Sequence, residues 1–95
     1  MKAYEILYII RPDMDEEATT ALVDRFSGVA SSNGAQNVTV EKWGKRRLAY
    51  EIQDYKEGQY ILMNFDAEGK ISQEIERVMK ISDDVIRFLT VRKDD

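Results

Sequence analysis

Four cations fall within six positions of this chain, Lys42, Lys45, Arg46 and Arg47, with Trp43 and Gly44 between the first and the rest. The surrounding composition is acidic, with 14 Lys and Arg against 18 Asp and Glu and a formal net charge of -4. A basic run against an acidic background is a docking site for something anionic, or else a solvated face. Arg46 and Arg47 offer planar forks that match phosphate oxygens, and Lys45 adds a point charge. Arg87, Arg92 and Lys93 at the last strand, and Lys2 at the first, are candidates to extend the patch. Tyr50 and Trp43 beside the run could stack on bases or ribose, or pack on the fold.

Catalytic chemistry has little to work with. The chain contains no histidine and no cysteine, so the commonest neutral-pH acid/base and the thiol nucleophile are both missing. The carboxylate pairs Glu16-Glu17 and Asp83-Asp84 are sequence neighbours, which do not face each other on a helix, and both sit where acids serve as caps. No Gly-rich phosphate loop and no metal-ligand spacing occurs. An acylphosphatase-like site would need a Gly-rich anion loop after the first strand, where Arg11-Pro12-Asp13 stands instead. We therefore expect no catalytic residue, no metal, no cofactor and no enzymatic activity. The absence of cysteine also fits a cytosolic protein. No apolar run approaches the ~18 residues of a membrane span, and the N-terminus has an acid at position 5 and no signal-peptide cleavage pattern.

The elements that must position these residues follow from periodicity. Ninety-five residues predict one domain, 1–95. Residues 4–10 are β-branched and aromatic up to Pro12, a strand whose two faces both meet something other than water. Asp13 is the expected cap of a first helix, with Glu16 completing a capping-box pattern. Ala18, Ala21, Leu22, Phe26, Val29 and Ala30 then mark one face of that helix, and Asn33-Gly34 ends it. An extended segment from Ala35 alternates through Val38 and Val40. Gly44 interrupts it, predicting a bulge or bend, and Leu48, Tyr50 and Ile52 resume the alternation. Residues 54–58 are expected as a polar hairpin loop. A strand over 59–67 follows, with Ile61, Met63 and Phe65 on one face and Tyr60, Leu62, Asn64 and Asp66 on the other. A helix over 70–80, a turn at Ser82-Asp83-Asp84, a strand over 85–92 and a polar tail at Asp94 and Asp95 complete the chain.

The order is βαββαβ, which predicts an α+β, ferredoxin-like domain: two helices on one face of a four-stranded antiparallel sheet. Leu7, Ile9, Tyr60 and Leu62 fall on the uncovered face, and an apolar patch there marks a partner surface, to which Tyr50 is added. The RNA-recognition motif shares this topology, but its signature of paired stacking aromatics is missing from Glu57-Gly58-Gln59-Tyr60-Ile61-Leu62-Met63-Asn64-Phe65.

The stretch Gly44-Lys45-Arg46-Arg47-Leu48-Ala49-Tyr50-Glu51-Ile52 resembles the signature of the bacterial small-subunit ribosomal protein S-six family: glycine, any residue, a basic residue, a polar one, then Leu-Ala-Tyr-x-Ile. The opening Met1-Lys2-Ala3-Tyr4-Glu5, the Asn33-Gly34-Ala35 turn, the Lys56-Glu57-Gly58-Gln59-Tyr60 segment and Val85-Ile86-Arg87 are similar to that family too. Gln53 departs from it, standing where a basic or small residue is more usual. The resemblance implies a cytoplasmic protein of the small ribosomal subunit, acting in ribosome assembly and translation. It would bind the central domain of small-subunit ribosomal RNA on the platform together with ribosomal protein S-eighteen, with no membrane partner. The basic partner would supply much of the phosphate neutralisation, and the isolated chain should be a monomer.

Overall fold

A computed structural model describes residues 1–93. Asp94 and Asp95, expected as a polar tail, lie outside the described residues. The elements run β1 (Lys2–Ile10), α1 (Glu16–Ser32), β2 (Gln36–Ile52), β3 (Tyr55–Ala67), α2 (Gly69–Lys80) and β4 (Val85–Arg92). The four strands form one antiparallel sheet in the order β2-β3-β1-β4. Both helices lie on one face, as the βαββαβ order requires.

The period-2 pattern places the core without ambiguity. Ile6, Tyr8 and Ile10 of β1 and Ile61, Met63 and Phe65 of β3 are buried under the helices. Leu22, Val23, Phe26 and Ala30 of α1 and Ile75, Val78 and Met79 of α2 close over them. Tyr8 meets Phe26 edge-on, with ring centroids 5.3 Å apart. Each fully buried large side chain here contributes about 1.5–3 kcal/mol. Arg11 locks the end of β1 to the α2–β4 turn, its backbone N–H donating to the Asp84 carbonyl (3.0 Å) and its Nε to Asp84 Oδ1 (2.8 Å).

Three local expectations are corrected. On α1, Ala18 and Ala21 are exposed, and Thr19 and Val23 are buried beside Leu22 and Phe26. The helix cap is Asp15 rather than Asp13: Asp15 Oδ1 accepts from the Ala18 backbone N–H at 2.8 Å. Asp13 instead faces Arg11, 3.5 Å from its Nη1, and Glu16 becomes the first helical residue, where its charge favours the helix dipole. The hairpin loop is also not at 54–58. Gln53 and Asp54 both take positive φ (52° and 69°) and close the β2–β3 hairpin in two residues, the twist-matched turn for antiparallel strands. Tyr55, Lys56, Glu57 and Gly58 are therefore strand. Gly58 is buried, and a Cβ there would run into Ile9 Cγ2 and crowd the Ile10 carbonyl at 3.2 Å.

The interruption at Gly44 is a bulge. Lys42 pairs with Ile61 and Gly44 with Tyr60, leaving Trp43 as the extra residue, and Gly44 sits at φ 83°. An inserted residue shifts the side-chain period by one. Val38 and Val40 pack toward the helices, whereas beyond the bulge Arg46, also even-numbered, pairs with Gly58 on the uncovered face. A second irregularity between Arg47 and Ile52 bends the distal hairpin, which runs beyond the Ile10 end of β1 and curls over that face.

Candidate nucleic-acid and partner interface

The arm formed by residues 45–58 carries the cations. Lys45 pairs with Gln59, Arg46 with Gly58 and Arg47 with Glu57, so the three alternate between the two sides of the ribbon. All three are exposed. Among the described residues none of them makes a hydrogen bond or ion pair, so their donors remain available to an anion. Lys45, Arg46 and Arg47 share a shallow depression with Pro12, Tyr55 and Lys56, rimmed by Asp54 and Glu57. Lys56 is a fourth arm cation that the sequence reading did not select, since it read this position as loop.

The uncovered face holds the five residues expected on it. Leu7 pairs with Leu62, and Ile9 with Tyr60. With Tyr50 they line or border a groove of about 190 Å³ between sheet and arm, completed by Leu48, Ile52, Phe88 and Leu89. Ile9 is itself covered, at 8% exposure, because Gly58 lies against it; it supports the groove floor rather than its outer surface. Tyr50 stands at the rim, 62% exposed, its hydroxyl accepting from Arg87 Nη1 at 2.6 Å. Arg87 therefore belongs to this groove and not to the arm. Leu89 is 60% exposed and was missed; its alternation with Arg87 along β4 was the available signal. At the other end the face turns polar, with Glu5, Asn64, Asp66 and Glu41.

The remaining candidate cations do not extend the arm. Lys2 begins β1, and Arg92 pairs with Tyr4 at the end of β4. Lys93 donates from its backbone to the Ala3 carbonyl (2.8 Å) and from Nζ to Asn64 Oδ1 (3.2 Å). The nine-residue β1, about 27 Å long at roughly 3.4 Å per residue, separates this group from the arm. The candidate cations fall in two clusters rather than one patch, because antiparallel β4 carries its C-terminus away from the hairpin tip.

Trp43, the bulged residue, lies nearly parallel to Tyr60, with centroids 6.5 Å apart and planes at 6°. The Arg46 guanidinium carbon stands 5.1 Å from the centre of its ring. Among the described residues no cluster of three or more Asp or Glu is placed to hold a metal ion, and no helix is long and apolar enough to cross a membrane.

Comparison with known proteins places the chain in a family. A family model described as Ribosomal protein S6 matches residues 3–92. The small ribosomal subunit protein bS6 of Desulfitobacterium hafniense is 62% identical over 95 residues, covering all of both chains. That of Heliobacterium modesticaldum is 50% identical over 95 residues, covering all of this chain and 99% of its own. The crystal structure of 30S ribosomal protein S6 from Thermotoga maritima matches with a TM-score of 0.88 at 32% identity, over 97% of this chain and 87% of that one. Fold and relatives together define the class: a structural, non-enzymatic protein of the small subunit of the cytoplasmic ribosome. The chain belongs to the ribosomal protein S6 family.

Proposed function

We propose that this protein binds the central domain of small-subunit ribosomal RNA on the platform jointly with ribosomal protein S-eighteen, and is a monomer when isolated. The observation that carries the reading is an apolar, uncovered sheet face next to an arm whose Lys45, Arg46 and Arg47 make no hydrogen bond or ion pair among the described residues, on a chain of net charge -4. Lys45, Arg46 and Arg47 are the RNA-contacting set, with Lys2, Arg87, Arg92 and Lys93 as secondary contacts. Leu7, Tyr60, Leu62 and Tyr50, seated over Ile9, form the surface for the protein partner. Such a division explains how an acidic protein tolerates RNA: the partner neutralises most phosphates, and the arm adds a few more.

A salt-titrated binding assay on a central-domain rRNA fragment tests this, using the protein alone, S-eighteen alone and both together. Tight binding only with both is the expected result. Tight binding by this chain alone would overturn the shared-neutralisation account, and no binding in any combination would overturn the RNA reading. Replacing both Arg46 and Arg47 by Glu should weaken association of the pair while circular dichroism stays native. Each lost phosphate contact should lower the salt slope by about 0.7–0.9. An unchanged affinity would reduce these arginines to solvated surface.

A further inference from the structure

We infer that Trp43 is a positioning residue that holds the Arg46 guanidinium as a preformed fork for a backbone phosphate, an inference that rests on the RNA reading above. Three features of the structure converge on it. The guanidinium lies 5.1 Å from the Trp43 ring centre, within cation–π range. Tyr60 runs parallel to the same indole and anchors it to the central strand β3. The bulge at Gly44 is what makes the contact possible.

In an unbroken strand, residues 43 and 46 differ by an odd number and point to opposite faces. The bulge opposes both Trp43 and Gly44 to Tyr60, which brings Arg46 onto the side that Trp43 occupies. A long, four-torsion side chain on a projecting arm would otherwise be ordered only at the moment of binding, at an entropic cost. A guanidinium held over an indole by cation–π attraction spends none of its N–H groups on that contact, so they stay free to donate to phosphate oxygens. Trp43, 39% exposed, in this role serves the RNA backbone through Arg46 rather than stacking on a base.

The test is a double-mutant cycle on RNA affinity in the presence of S-eighteen, with Trp43→Leu, Arg46→Gln and the double variant, and Trp43→Phe as the conservative control. Thermal melts confirm that each variant folds. Trp43→Leu should weaken binding roughly two- to five-fold, the range of an exposed cation–π contact, and should cost nothing further once Arg46 is Gln. Trp43→Phe should recover most of the loss. Because Trp43 is the single tryptophan, Arg46→Gln should also shift its emission in the free protein. Equal losses from Trp43→Leu with and without Arg46 would overturn the inference and make Trp43 a direct base contact. A normal affinity for Trp43→Leu while Arg46→Gln is weakened would overturn it too, leaving the RNA reading intact. If Arg46→Gln binds as wild type, the arm reading itself fails.

Discussion

At the residue scale, Tyr8 is the most exacting position in the core. Its ring is fully buried against Phe26, yet its hydroxyl finds no hydrogen-bond partner among the described residues. Burial, with Asp24 as a smaller cause, pushes the phenol well above its ordinary value. A buried hydroxyl without a partner carries a desolvation cost that a phenyl ring of the same shape avoids. Tyr8→Phe should therefore leave the melting temperature unchanged or raise it. The sign of the pH effect follows. The folded state keeps this proton above pH ~10, where an unfolded tyrosine loses it, so the contribution is fully present below pH ~10 and is lost as pH rises further. Thermal melts between about pH 8 and pH 11.5 should show a shallower alkaline decline for Tyr8→Phe than for the parent; equal slopes would count against the assignment. The arm cations belong to this scale as well: the sequence alone picks out Lys45, Arg46 and Arg47, because three adjacent cations are visible without any fold.

At the scale of elements, two glycines in the β2–β3 hairpin have different duties. Gly44 takes φ 83° inside a strand, a region that costs an L side chain about 1–2 kcal/mol, so Gly44→Ala should lower stability by about 1 kcal/mol in urea unfolding. Gly58 has ordinary backbone but no room, since a Cβ would press on Ile9 Cγ2. Gly58→Ala should cost about 1–3 kcal/mol as overpacking. Adding Ile9→Ala should make the pair less destabilising than the sum of the singles, because the two occupy one space; strict additivity would refute the clash. The bulges at Asn37, at Trp43 and between Arg47 and Ile52 fall on β2, an edge of the sheet. Kinked, cation-bearing edges resist pairing with another strand.

At the scale of the whole molecule, that edge and the net negative charge argue for a monomer in isolation, which sedimentation should show as a single species of about 11.0 kDa. A concentration-dependent dimer would mean that the uncovered face pairs with itself rather than with a different protein. The charge is also distributed unevenly. Cations stand at both ends: Lys45, Arg46, Arg47 and Lys56 on the hairpin, and Lys93 beside Asn64, near Glu5 and Asp66, at the far end, with the apolar groove between. Under the proposed function a basic protein partner would cover the apolar face while RNA would meet the arm, so the two need not compete for the same residues.

Sequence alone determined the element order, the α+β class, the alternating apolar faces of β1 and β3, most of the apolar stripe of each helix, and the basic run, because each is written in local periodicity or in adjacent residue types. It also located the interruption at Gly44, from a glycine inside an alternating strand. Only the tertiary structure decided which way that interruption turned the chain. A one-residue bulge reverses every side chain beyond it, and a pattern of types cannot say whether the period is kept or shifted. That reversal set Arg46 beside Trp43, and the second irregularity, between Arg47 and Ile52, aimed the arm over the uncovered face. The two-residue turn at Gln53 and Asp54 was hidden because neither is glycine or asparagine, the usual sign of positive φ. The separation of Lys2, Arg92 and Lys93 from the arm came from strand direction, a property of the sheet and not of any segment within it.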